Sequence, residues 1–140
     1  MNAQEYFNRA YNLDQRINSK IEQISSLNEL ATKCTSAITG MPHSPNHGKT
    51  TMADTVTKIV ALQEEINSDI DSLVDLKREM AGVIKAVESS EQQVLLELRY
   101  LCFKSWDQIA VEMGYSLHHL YKVHRAALDA AAKWIPNDTV

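Results

Sequence analysis

Two long apolar seams leave this chain few ways to fold. In the first, Tyr6, Ala10, Leu13, Ile17, Ile21, Ile24, Leu27, Ala31, Cys34 and Ile38 recur at steps of three and four residues. In the second, Met52, Val56, Ile59, Leu62, Ile66, Ile70, Leu73, Leu76, Met80, Val83 and Val87 do the same. Such spacing puts every member on one stripe of a helix. Between the seams, residues 39–50 carry two Pro and two Gly, which cannot sustain a helix. Each helix would be roughly 50 to 55 Å long at about 1.5 Å per residue. Two helices of equal length joined by a short loop fold most simply into an antiparallel hairpin, an arm formed by residues 1–90. One narrow seam makes a thin core, so pairing with another copy in a helical bundle is expected. Glu64, Glu65, Asp69, Asp71, Asp75 and Glu79 crowd the second helix as a solvated face.

Beyond Ser89-Ser90 the pattern changes, and residues 91–135 read as a compact three-helix module, followed by a tail at 136–140. Leu95, Leu98, Leu101 and Phe103 supply a supporting helix and its turn. Trp106, Ile109 and Ala110 give a short helix one buried side. Met113-Gly114-Tyr115 interrupts that helix with the only glycine of the module, a residue that tolerates the positive φ of a tight turn. Ser116 then stands where an N-cap belongs. After it, Leu120, His124, Ala127, Leu128 and Ala131 form the buried stripe of a last helix, leaving His118, Tyr121, Lys122 and Arg125 on the free face. The fold class is therefore all-α: a long antiparallel helical hairpin followed by a C-terminal helix-turn-helix.

The run LELRY, then SWDQIA, MGYS and YKVHRAAL resembles region four of bacterial sigma factors. More closely, it resembles small phage and prophage proteins of the ArpU and RinA-like kind, as do the opening MNAQEYFNRAYNLDQRINSKIEQISSL and the central MADTVTKIVALQEEINSDIDSLVDLKREM. The resemblance implies a non-enzymatic, sequence-specific regulator of late phage transcription that acts on double-stranded DNA, with bacterial RNA polymerase as a second candidate partner. Its DNA contacts would be His118, His119, Tyr121, Lys122 and Arg125 on the last helix, with Lys104 and Arg99 beside them. Two other readings fit the same pattern. A small terminase subunit of a DNA-packaging machine also joins a helix-turn-helix to a helical assembly part, and a protein-interaction module would bind RNA polymerase or a host protein without touching DNA. A ring of many subunits would favour packaging; a dimer would favour transcription.

Charge qualifies the DNA reading. Residues 1–90 hold 9 Lys or Arg against 12 Asp or Glu, a balance of −3, and residues 91–140 hold 5 against 6, a balance of −1. Phosphate neutralisation supplies most DNA affinity, so weak intrinsic binding is expected, strengthened by a second copy or by polymerase. With 44% hydrophobic and 23% charged residues the chain is not of the disordered class. No apolar run approaches the roughly 18 residues of a membrane helix, and the N-terminus is too polar for a signal peptide. A cytoplasmic protein in a bacterial host is expected, with Cys34 and Cys102 as buried thiols.

Two motifs in the loop are decoys. Gly48-Lys49-Thr50 copies the tail of a phosphate-binding loop but lacks its upstream glycine and its preceding strand. His43 and His47 lie four apart without a second ligand pair. No catalytic constellation, metal site or cofactor site is read from the sequence. His124, on the apolar stripe, reads as a core histidine, and Trp106 as a core aromatic.

The histidines near the start of the last helix generate a prediction. Imidazole titrates near about 6.5, and approaching phosphates favour its charged form. DNA binding through His118 and His119 should therefore take up protons, so affinity for a duplex rises as pH falls from about 7.5 to about 6. Replacing both by Ala flattens that dependence. Fluorescence anisotropy at constant ionic strength checks it, and a pH-independent wild type rules these histidines out as DNA contacts.

Overall fold

The computed structural model describes the backbone of residues 1–40 and 45–136 and the side chains of residues 1–33 and 52–136. Within those residues the chain is all-helical. Helix α1 is Ala3–Gly40, α2 is Pro45–Lys85, α3 is Ser90–Leu96, α4 is Trp106–Met113 and α5 is Leu117–Ala132. A π-helical turn, Glu97–Leu101, continues α3. The two long helices run further into the 39–50 stretch than its composition suggests. Pro45 opens α2, a position where its missing N–H and fixed φ fit a helix start. The side chains of Cys34, His43, His47 and the Gly48-Lys49-Thr50 segment lie outside the described residues, as do residues 137–140 of the tail.

The chain divides into two compact units, Asp14–Ser72 and Met1–Leu13 with Leu73–Val140. In the first, α1 and α2 run antiparallel: Ser19 to Leu27 lie across a shallow groove from Lys58 to Glu65, and Lys20 Nζ donates to Asp69 at 2.6 Å. Its core is as thin as a two-helix seam allows, with Ile17 and Ile66 its only buried apolar side chains among the described residues. Ile21, Val56 and Ile70, which the periodicity puts in the seam, are instead 41% to 51% exposed. Val56 and Ile70 belong to a second stripe of α2, one position out of phase with Ile59, Ile66 and Leu73, because a helix that carries two apolar stripes can turn only one toward α1.

The second unit holds most of the buried core, and the first turns of α1 belong to it. Tyr6, Phe7 and Ala10 are buried together with Met80, Val83 and Ile84 of α2, Val87 in the link that follows it, Leu95, Leu96 and Tyr100 of α3 and its π-turn, Ile109 of α4, and Leu120, Val123, Ala127 and Ala131 of α5. The compact division thus falls at 13/14 and 72/73 and not near Ser90, because the three-helix module completes its core with both ends of the arm. Tyr6 Oη donates to Glu79 Oε2 at 2.8 Å, tying α1 to α2 within this unit.

The π-turn explains which leucines are inside. An i to i+5 turn adds about a residue to the repeat and rotates the side chains after it. Burial therefore passes from Leu95 and Leu96 to Tyr100, leaving Leu98 and Leu101 half-buried. The same rotation turns Cys102 outward, so this thiol is exposed and not buried as its sequence context suggests. The turn closes with Cys102 N donating to Glu97 O and Lys104 N to Leu98 O, both at 3.0 Å. Phe103 there takes a left-handed φ of 57°, strained for an aromatic residue. Three contacts hold it. Its ring packs edge-on against Tyr11 at 5.8 Å, Lys77 Nζ lies 4.5 Å from the ring centroid, and Lys77 Nζ also donates to Leu101 O at 3.0 Å.

At the centre of this unit the Tyr100 ring stacks on Phe7 at 5.0 Å, and its hydroxyl lies 2.6 Å from His124 Nε2. Burial pushes the Tyr100 hydroxyl up to about 12 and, seconded by the Arg99 guanidinium, pushes His124 down to about 4. The hydroxyl keeps its proton, and we assign it as donor to a neutral imidazole. Because His124 binds a proton less tightly folded than unfolded, its stabilisation is full above about pH 6.5 and is lost as pH falls toward 4. Chemical denaturation from pH 7 to 4 should show the His124→Gln protein taking up about one proton fewer on unfolding than the wild type. Equal proton uptake by the two proteins would contradict the neutral imidazole.

Candidate nucleic-acid interface

The α4–α5 pair is built by local signals that the sequence states openly. Ser105 caps α4: Gln108 N donates to its Oγ at 3.2 Å, and Ser105 N donates to Gln108 Oε1 at 3.0 Å, a reciprocal capping box. Gly114 ends the helix at φ 72° and ψ 31°. There Tyr115 N donates to Ala110 O at 3.0 Å, satisfying a carbonyl that the helix end leaves free. Ser116 then caps α5 by accepting from His119 N at 3.2 Å.

Leu120, Val123, Ala127 and Ala131 bury one side of α5. On its outer side His118, Tyr121, Lys122 and Arg125 line one shallow depression together with Ala126 and Asp129. All four are exposed, and neither Lys122 nor Arg125 forms an ion pair among the described residues. Tyr121 is steadied from behind by an edge-on contact with Trp106 at 5.4 Å. Trp106 also meets His124 edge-on at 4.6 Å, so this half-buried indole supports α5 from α4.

The remaining residues expected at the interface are placed otherwise. His119 turns toward α3, with Nε2 3.9 Å from Glu91 Oε1 and its ring edge-on to Tyr115 at 4.6 Å. Glu91 also acts on Tyr115: a side-chain hydrogen bond to its carboxylate raises the Tyr115 hydroxyl above its ordinary range. Arg99 lies over the Trp106 ring at 4.6 Å and donates to Lys104 O at 3.0 Å, so its guanidinium is engaged in holding the α3–α4 turn. Lys104 pairs with Glu112. His118, Tyr121, Lys122 and Arg125 thus form one surface, and His119, Arg99 and Lys104 do not share it. Trp134 is half exposed, with Lys133 Nζ 5.5 Å from its ring. No helix among the described residues is long and apolar enough to cross a membrane.

Gly114 sets the angle at which α5 leaves α4. A Cβ there would meet nothing within 4 Å, so the cost of Gly114→Ala is conformational alone, about 1 kcal/mol for a left-handed backbone. Gly114→Asn should cost less, because Asn tolerates that region better. Urea denaturation checks the order; an Ala variant as stable as the wild type would mean the turn adopts another conformation.

No curated protein and no solved structure matches the chain significantly. A family model described as a protein of unknown function, DUF1492, matches residues 43–131, which take in α2 and nearly the whole three-helix module. By that match the chain belongs to DUF1492, a phage-associated family.

Proposed function

We propose that this protein is a phage-derived, sequence-specific DNA-binding regulator of transcription, with α5 lying in the major groove and the arm bringing copies together. The observation that carries this reading is the outer face of α5, where Lys122 and Arg125, two cations without acidic partners among the described residues, share a surface with His118 and Tyr121. A helix that meets DNA needs cations free to neutralise phosphates and polar tips free to reach base edges. By contrast, Lys20, Lys104 and Arg99 are committed to internal partners. A capped short helix, a glycine turn and a longer second helix is also the arrangement by which helix-turn-helix proteins present a recognition helix. With so few cations on the face, one module alone binds weakly, and two half-sites held by one dimer, or a polymerase bound alongside, supply the rest. Control of late phage genes is the specific role the sequence resemblance adds to this reading.

Lys122→Ala and Arg125→Ala should each weaken binding to a duplex while leaving the thermal transition unchanged, since both side chains are exposed. Each lost phosphate contact lowers the slope of log affinity against log salt by about one unit. Anisotropy titrations across a salt series, on fragments selected from a phage genome, provide the measurement. Unchanged affinity and slope in both variants would remove α5 as the recognition helix.

A further inference from the structure

The second stripe of α2 has a symmetry that points to its occupant. Val56, Val60, Ile70 and Val74 are 51%, 48%, 41% and 48% exposed. They are the only large apolar side chains exposed on the described part of α2, and all four fall on one face. Gln63 and Asn67, both exposed, complete the stripe. Its members are spaced four, three, four, three and four residues apart, the step pattern of a coiled-coil seam. The order is aliphatic, aliphatic, amide, amide, aliphatic, aliphatic, and both order and spacing read the same from either end. Not one member is charged, whereas Lys20, Glu65 and Asp69 form their ion pairs on the other side of the Ile59–Ile66–Leu73 seam.

We propose that this stripe is a self-complementary interface at which a second copy of the chain docks, the two α2 helices packing antiparallel about a two-fold axis between Gln63 and Asn67. This deepens the self-association in the functional reading above but rests on the arm alone, not on DNA binding. A two-fold interface requires each residue to meet a mate that in turn meets it. An antiparallel pairing centred there sets Val56 against Val74, Val60 against Ile70 and Gln63 against Asn67 of the other copy, and every layer matches like with like. A parallel pairing would set each residue against itself. The central amides hydrogen-bond across the interface and fix the register, because a slip by one heptad would bury them against aliphatic groups. The thin core of the Asp14–Ser72 unit gives the physical need: two such hairpins pack into a four-helix bundle whose shared core covers aliphatic groups that one copy leaves in water. Glu64 sits at the rim, where solvent screens it from its own copy across the axis.

The experiment uses the full chain, without DNA, in a Cys34→Ser, Cys102→Ser background. Sedimentation should show a dimer at micromolar concentration. Val60→Lys or Ile70→Lys should weaken it by about tenfold or more, since a charge would be buried. Both positions are half exposed in the monomer, so helicity by circular dichroism should hold. To test the geometry, Val60→Cys and Ile70→Cys proteins are oxidised separately and mixed. Antiparallel packing predicts a disulfide only in the mixture, since in the homodimers the equivalent thiols lie about 15 Å apart along the axis, beyond disulfide reach. Self-crosslinking of either variant alone would overturn the antiparallel register. A monomeric wild type, or a dimer indifferent to both Lys substitutions, would overturn the interface, leaving the stripe to a different chain. Failure of DNA binding would touch neither readout.

Discussion

The contact between Tyr100 and His124 is where the C-terminal unit is joined. One ring carries two kinds of bond: its face stacks on Phe7 from the start of α1, and its hydroxyl meets the imidazole on the inner side of α5. Burial acts on both partners in the same sense, against charge, raising the phenol and lowering the imidazole. A neutral donor thereby meets a neutral acceptor, with no ion to desolvate, and no buried side-chain polar atom among the described residues lacks a partner. Removing the imidazole would leave the buried Tyr100 hydroxyl unsatisfied, which costs more than the bond itself contributes.

Around that contact the cations fall into two groups. Arg99 covers Trp106 and holds the α3–α4 turn, Lys77 holds the strained Phe103 against Tyr11, and Lys104 closes on Glu112. These groups shape the platform from which α5 projects. Lys122 and Arg125 remain on its outer face. The proposed DNA contact therefore depends on few charges but on a well-fixed helix. Capping at Ser105 and Ser116 and the left-handed Gly114 set its direction, and the Trp106 edge backs Tyr121.

The arm obeys a different constraint. A pair of helices can bury only one stripe each against the other, and in the Asp14–Ser72 unit that stripe closes fully at Ile17 and Ile66. The rest of the apolar surface of α2 is not scattered. It is gathered into a stripe without charges and with amides at its middle, and the proposed two-fold interface rests on that composition.

Much of this was determined by the sequence alone, where the signal is local. Helical periodicity, the Ser105 and Ser116 caps, the glycine turn and the free face of α5 are all set by residues within a few positions of one another, because capping and turn geometry are decided by near neighbours. The inward direction of His124 was legible for the same reason, since it stands on the Leu120–Ala127 stripe, although the fold leaves it half-buried. Only the tertiary structure decided the rest. The π-turn after Leu96 shifts the phase of burial, so that Tyr100 is inside and Cys102 outside, and no period read from sequence anticipates the extra residue in that turn. Phe7 enters the core of a module more than eighty residues away in sequence, which requires the two ends of the arm to be brought together. Arg99 and Lys104 look like DNA-facing cations until their partners are seen, because a charge is free or engaged according to what the fold sets beside it. The two stripes of α2 share the same steps of three and four, and only the direction in which α1 packs tells which is turned inward and which is left exposed.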